Sequence, residues 1–272
     1  MGNYAPGIDV VVVNYRTPSD LAGFLESLLE VVFEVPMTLS VANVVPTEED
    51  AEVAESWLAK FKVPVIYSVF KTNCGYARAC NRSAAILGQG TPRATIAFFN
   101  ADTRLKPGVL DSCHWLLGLN DRWGVMGPKQ VDESNRITHA GMFGSNDKTA
   151  PRGWRQSDSG QFDDLRSDAI TVAGSAYFVK RECWDELTYC ETFRKSAPEV
   201  LGAFLPTEHY YEETFCSYHA RDHGWKVVYN GEVSMIHKWH RASKVGGWAE
   251  KQLPASREYF RRACKAHNIV HD

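Results

Sequence analysis

Four unbroken apolar runs punctuate the first hundred residues: IDVVVVN at 8–14, MTLSVANVV at 37–45, VPVIYSVF at 63–70 and ATIAFFN at 94–100. A strand with one wet face alternates apolar and polar positions. These do not alternate, so each is expected to be covered on both faces, as in a parallel sheet between helical layers. The gaps carry the helical period instead. Thr17-Pro18-Ser19-Asp20 reads as an N-cap, a proline at the first helical position and an acid at the third, ahead of the stripe in LAGFLESLLEVV. Thr47-Glu48-Glu49-Asp50 repeats the device before AEVAESWLAKF. The pattern predicts a βαβαβαβ half with right-handed crossovers, whose ligands would sit at the carboxyl ends of the strands. Asn14, Asn73 and Asp102 fall at or just beyond such ends.

Past residue 130 the pattern loosens. A polar tract at 130–168 predicts a long loop with one hairpin around RITHAGMFG. A strand is expected at 169–180, a short helix at RECWDEL, and an irregular insert over ETFRKSAPEVLGAFLPTEH. YYEETFCSYHARDHGW reads as a helix closed by Gly224, KVVYN and VSMIH as two short strands, and WAEKQLPASREYFRRACKAHN as a closing basic helix.

Composition narrows the class without changing this outline. The chain has 272 residues, 44% hydrophobic and 23% charged, which is a globular profile. A net charge of −3 supplies no overall field toward nucleic acid or an anionic membrane, so nucleic acid is disfavoured as a partner. Seven cysteines without paired spacing suggest neither a disulfide framework nor a zinc knuckle. A reducing, cytoplasmic setting fits that usage. No run approaches the ~20 apolar residues of a membrane helix, and MGNYAPGIDVVVVNYR has neither the basic lead nor the core of a signal peptide. A soluble protein is expected.

The candidate chemistry lies at the element ends. Asn100-Ala101-Asp102 sets an acid one residue from a second oxygen donor, which suits a hard cation such as Mg²⁺ or Mn²⁺; a turn cap is the plainer use. KTNCGYARACNRSAA places Asn73 and Gly75 in a turn feeding a helix whose first amides would be unpaired, an anion site or simply a capped helix, with Arg78 and Asn81 on one helical face. Glu212 and Glu213 open a helix behind two tyrosines, where they either suit the helix dipole or supply a general base. His237 ends a strand, followed by His240, either as a ligand or as a structural histidine; His139 is a weaker candidate.

Taken in order, these segments resemble the family 2 glycosyltransferases of GT-A fold, most closely the bacterial rhamnosyltransferase-like branch. That family runs V-N-Y, N-x-G-F-A-x-x-x-N, N-x-D, G-P-K, G-A before a basic pair, an E-D pair, R-x-x-G-[YW], and a strand-ending histidine. Here the pattern stands as Val13-Asn14-Tyr15, Asn73-Cys74-Gly75-Tyr76-Ala77 through Asn81, Asn100-Ala101-Asp102, Gly127-Pro128-Lys129, Gly174-Ser175 with Lys180-Arg181, Glu212-Glu213, Arg221 through Gly224-Trp225, and His237. The resemblance covers roughly residues 8 to 240. It implies a GT-A domain over 1–240, a Rossmann-like, mostly parallel sheet flanked by helices. A nucleotide-sugar half would occupy 1–127, a less regular acceptor and catalytic half 128–240, and a helical extension 241–272.

The resemblance also implies roles. Asp102 and His237 would hold Mn²⁺ or Mg²⁺, and Glu213, with Glu212 as the next candidate, would be the general base. Asn14, Tyr15, Arg16, Asn43, Asn73, Gly75, Arg78, Asn81, Asn100 and Ala101 would lie along the nucleotide sugar, with Gly174 and Ser175 beside the sugar itself. The implied reaction is inverting transfer from a nucleotide-diphosphate sugar, UDP or dTDP, to a glycan, lipid-linked or protein acceptor. Three positions depart from the family: Ala42 where an acid usually reads the base, Glu213 where Asp is usual, and Phe215 where a second acid is common. A sugar nucleotidyltransferase would need a glycine-rich turn after the first strand, and NYRTPSD has none. A non-catalytic nucleotide-sugar or glycan binding module would keep the cleft without the base. The segments 130–168 and 189–209 would border the acceptor, with Trp154 either a sugar platform or a loop anchor. Arg257, Arg261, Arg262 and Lys265 mark a solvated helix face, or a peripheral contact with an acidic partner or membrane surface.

Overall fold

The computed structural model describes residues 4–31, 33–144, 151–239 and 248–270. β1 (Ala5–Asn14), β2 (Met37–Val44), β3 (Val65–Phe70) and β4 (Arg93–Asn100) run parallel in the order β3-β2-β1-β4. The crossovers are α1 (Pro18–Glu30), α2 (Glu48–Leu58) and α3 (Gly75–Leu87). The apolar runs are unbroken for the expected reason. Ile8, Val10 and Val12 face one cluster, with Phe24, Leu25 and Leu28 of α1; Val11 and Val13 face the other, with Ala77, Cys80 and Ala84 of α3. Phe98 and Phe99 point to opposite faces and are fully buried, each burial contributing roughly 1.5–3 kcal/mol.

The chain continues through β5 (Thr103–Arg104), α4 (Val109–Leu119), β6 (Trp123–Val131), β7 (Ile137–His139), β8 (Leu165–Ala169), β9 (Ala176–Lys180), α5 (Arg181–Tyr189), α6 (Glu191–Ser196), α7 (Glu212–Asp222), β10 (Lys226–His237) and α8 (Trp248–Ala266). These extend the sheet as β4-β9-β6-β10-β5, with β7 beside β6 and β8 beside β10. β10 is parallel to β6, and β9 is antiparallel to both β4 and β6. The sheet is therefore mixed: its four longest strand pairings are parallel, and five shorter ones are antiparallel. Arg181, at the start of α5, pins this added half to β1 through a buried 2.7 Å ion pair with Asp9. No helix among the described residues is long and apolar enough to cross a membrane.

Several expectations need correction. The strand predicted at 169–180 is two strands, β8 and β9, because the run leaves the edge of β10, bends at Gly174-Ser175 and enters between β4 and β6. KVVYN and VSMIH are instead one strand, β10, whose register slips between Asn230 and Ser234. Gly231 sits in that slip with the Phe162 carbonyl so close that a Cβ would lie 2.0 Å from it. Thr17 does not cap α1; its hydroxyl donates to Asn14 Oδ1 instead. Thr47 does form the capping box with Asp50.

The insert expected to be irregular is partly core. Ala203, Phe204 and Leu205 are fully buried, and the Phe204 ring lies 4.8 Å from Phe98 and 5.2 Å from Trp184. The polar tract likewise folds back onto the sheet, beginning with the β6–β7 hairpin. Lys129, 4% exposed, pairs with Asp158 at 2.8 Å and with Asp163. Arg152 binds Asp164 through both terminal nitrogens, with the rings of Phe143, Phe162 and Tyr229 each 4.8 Å away. Finally, α8 buries Phe260, Ala263 and Cys264 in a third cluster with Phe193 of α6 and Phe215 of α7.

Candidate active site

β5 explains why two distant residues meet. After β4 the chain turns through Asn100–Asp102 and returns for two residues antiparallel to the end of β10, with Thr103 opposite His237. The Lys238 amide then donates to the Asp102 carbonyl at 3.0 Å. This brings His237 Nε2 to 3.5 Å from Asp102 Oδ1, both side chains being nearly buried. On the other side of the ring, Nδ1 lies 3.3 Å from Ser175 Oγ, which itself donates to Gln130 Oε1 at 2.7 Å. A divalent ion between Asp102 Oδ1 and His237 Nε2 would find one carboxylate oxygen and one imidazole nitrogen, a donor set that Mn²⁺ accepts.

These residues form part of the wall of a cavity of about 640 Å³, within the usual size of a small-molecule site. Tyr15 and Asn73 line it from the β1 and β3 ends, together with Gly75, Asn100 and Ala101. Gly174, Ser175, Glu212 and Glu213 line it as well, with the Ser175 carbonyl accepting from the Asn100 amide at 3.2 Å. Among the described residues, no lysine or arginine is in the lining.

Glu212 and Glu213 begin α7 just after Tyr210 and Tyr211, whose φ values of 68° and 70° are left-handed, a conformation that costs a non-glycine residue about 1 kcal/mol or more. That pair of bends turns the chain abruptly into the helix, aiming its first acids at the cavity. Burial first, and then the neighbouring Glu213, push the Glu212 carboxyl up to about 8; its Oε2 accepts from Thr207 Oγ1 at 3.2 Å. Burial also pushes Glu213 up. Two adjacent carboxylates in one apolar pocket do not both ionise readily, so Glu212 keeps its proton and Glu213 is the one available as a base. Glu213 lies against Gly174, where an added Cβ would come within 3.1 Å of its Cγ and Cδ. The Gly174 carbonyl in turn accepts from Tyr76 Oη at 2.8 Å.

Five sequence candidates are directed elsewhere. Asn14 and Asn43 are fully buried and bond each other and Asp50 rather than reaching the cavity. Arg16 is exposed and donates to the Val45 carbonyl, and Arg78 pairs with Glu208 at the surface. Asn81 is 2% exposed, with both amide atoms bonded to the Phe204 backbone, so it holds the insert in place. Trp154 does line the cavity, in edge contact with Trp239 at 4.5 Å. His139 also lines it; burial, then the nearby His237, lower its imidazole to about 3, and its Nδ1 accepts from the Gly141 amide. His240 lies outside the described residues. Tyr76 lies inside the Asn73–Asn81 motif, though no role was expected of it. Gln130, Trp239 and Leu253 were not anticipated; the first two stand next to anticipated motifs, whereas Leu253 had no signal because it comes from α8.

No family model matches the chain, and no curated protein matches it either. Solved structures do. The mannosyltransferase PcManGT from Pyrobaculum calidifontis, in complex with GDP-Man and Mn2+, is 13% identical with a TM-score of 0.58, over 97% of this chain and 71% of that one. S. aureus TarS is 11% identical with a TM-score of 0.58, over 96% and 71%. GalNAc-T7 with UDP, GalNAc and Mn2+ is 14% identical with a TM-score of 0.64, over 98% and 55%. At such identities the likeness establishes the fold: this chain has the GT-A fold.

Proposed function

We propose that this chain is an inverting, metal-dependent glycosyltransferase that moves a sugar from a nucleotide-diphosphate donor to an acceptor hydroxyl. The observation that carries the reading is His237 Nε2 brought to 3.5 Å from Asp102 Oδ1 in a cavity whose described lining has no lysine or arginine. A pyrophosphate bound there would need its charge balanced, and a divalent ion held by Asp102 and His237 would supply that balance for the leaving group. The order of the sequence motifs favours the rhamnosyltransferase-like branch and a UDP or dTDP donor. Asn43, however, is occupied within the fold, so discrimination of the base rests with groups such as Tyr15 and Asn73.

Glu213 would take the proton from the acceptor hydroxyl as that oxygen attacks the anomeric carbon. Glu212, kept protonated, stays out of that role and limits negative charge in the pocket. A single base acting from one side suits direct displacement, hence inversion. Gly174 leaves the space that Glu213 occupies, and Trp154 with Trp239 offers flat apolar rings to a sugar face.

The test is donor consumption and transfer with a panel of UDP-, dTDP- and GDP-sugars in Mn²⁺, for wild type and Glu213→Gln. Loss of the base should reduce turnover by ~10² to 10⁴ while the metal-dependent thermal shift with the matching nucleotide is kept. Wild-type turnover in Glu213→Gln removes Glu213 as base. No metal-dependent shift with any nucleotide removes the reading altogether.

A further inference from the structure

Away from the cavity, three potential metal ligands converge where the α5–α6 junction, α7 and the end of α8 meet. They are Cys190, His219 and His267, whose ligand atoms all lie within 4.8 Å of one another. We infer that these three residues bind one Zn²⁺, with water in the fourth position, as a structural site independent of the catalytic cation.

The second observation is a deficit of hydrogen bonds. Neither ring nitrogen of His219 has a partner, nor does Nε2 of His267, and all three atoms are buried. Buried polar atoms are nearly always bonded, and three orphans in one place mark a missing ligand. The surroundings are mostly aromatic, with Asp222 the acid whose charge acts on His267. Phe193 and Phe215 pack on both imidazoles, with ring centroids between 5.4 and 6.1 Å away. The neighbouring His223 gives its Nδ1 to Glu186.

The donor types select the ion. One sulfur and two imidazole nitrogens form a borderline-soft set without oxygen, which suits Zn²⁺ and not Mg²⁺, Ca²⁺ or Mn²⁺. Bonds of the usual length at tetrahedral angles would place the three donor atoms roughly 3.3–3.6 Å apart, so the cluster closes by about an ångström through side-chain rotation. The backbone is already held. Asn268 adopts a left-handed φ of 54°, and the Ile269 amide bonds back to the Cys264 carbonyl, fixing the turn that carries His267. Cys190 is only partly buried, which leaves a route for the ion and for the water.

The consequence is mechanical. Zinc would fasten α8, which contributes Leu253 to the cavity, to α7, which begins with the two acids.

The experiment strips the full-length protein with chelator, returns Zn²⁺ or Co²⁺, and measures bound metal, optical spectrum and Tm. Expected are about one equivalent of Zn²⁺, a rise in Tm of roughly 5 °C or more at saturation, and a Co²⁺ derivative with a thiolate charge-transfer band and intense tetrahedral d–d bands. Cys190→Ser should abolish the charge-transfer band, and His267→Gln should lower the affinity at least tenfold. Asp102→Asn should retain both the zinc and the spectrum, which separates this site from the catalytic reading. A wild-type Co²⁺ spectrum without a thiolate band overturns the proposal whether or not the variants fold. So does zinc binding that disappears in Asp102→Asn and persists in Cys190→Ser.

Discussion

Two buried polar groups sit at carboxyl ends of strands in the same sheet and behave in opposite ways. At the ends of β1 and β2, Asn14 donates to Asn43 Oδ1 at 2.9 Å and to Asp50 Oδ1 at 2.8 Å, and accepts from Thr17. Asn43 donates to Tyr67 Oη and to the Asp50 carbonyl, while Asp50 Oδ2 takes both the amide and the hydroxyl of Thr47. All three side chains are fully buried and turned on one another. At the ends of β4 and β10, Asn100, Asp102 and His237 have the same polar character but line a cavity. A strand-end position therefore nominates a residue without deciding its use. What decides is whether its polar side-chain atoms are turned inward to the fold's own partners or outward to a ligand.

The largest effect should separate the two groups most sharply. Asp102→Asn removes a charge from the open group, and transfer should fall by roughly 10²–10³-fold while Tm moves by no more than about 2 °C. Asp50→Ala in the closed group should do the reverse. It leaves one hydrogen of the Asn14 amide, the Thr47 amide and the Thr47 hydroxyl without an acceptor, costing about 3 kcal/mol in urea unfolding with transfer per folded molecule unchanged. If Asp50→Ala stays stable and loses transfer, the distinction drawn here collapses.

A third comparison lies within the acid pair and turns on pH. Glu212 titrates at about 8 in the folded protein against an ordinary 4.5, so between those values the folded state holds the extra proton. Stability contributed by this group is therefore complete below about 4.5 and is lost as pH rises toward 8. Glu212→Gln should be more stable than wild type at pH 8, with the difference vanishing near pH 4.5. Thermal unfolding of both proteins across that range measures it, and parallel curves would mean that Glu212 is not held neutral.

This contrast also marks how far the sequence could be read. The parallel half was legible because residues 8–14 and 94–100 are apolar on both faces, which only a doubly covered strand explains. β6 was not, because Gly127, Pro128, Lys129 and Gln130 interrupt its apolar pattern, and Lys129 is tolerated inside only by its aspartate partners 29 and 34 residues further on. In the site, Asp102, His237, Glu212 and Glu213 share the cavity wall. Asn81 looked equally suitable on its helix, yet its partner is the backbone of Phe204, 123 residues away. Spacing along one helix carries no trace of such a bond. The left-handed tyrosines and the role of Leu253 were invisible for the same reason: both depend on contacts between distant segments.

The smallest expected effect tests the closed group at its rim. Thr47 is less buried than Asp50, and its hydroxyl both accepts from the Asp50 amide at 3.2 Å and donates to Asp50 Oδ2 at 2.6 Å. Thr47→Ala removes those two bonds but leaves Asp50 the Thr47 amide and Asn14 as donors. The loss should be that of an N-cap, about 1 kcal/mol, and so a fraction of the Asp50→Ala cost. A loss in the double variant equal to that of Asp50→Ala alone would mean that Thr47 acts only through the carboxylate. Additive losses would mean instead that the cap and the knot contribute separately, and that α2 would hold its position beside β2 without Asn14 and Asn43.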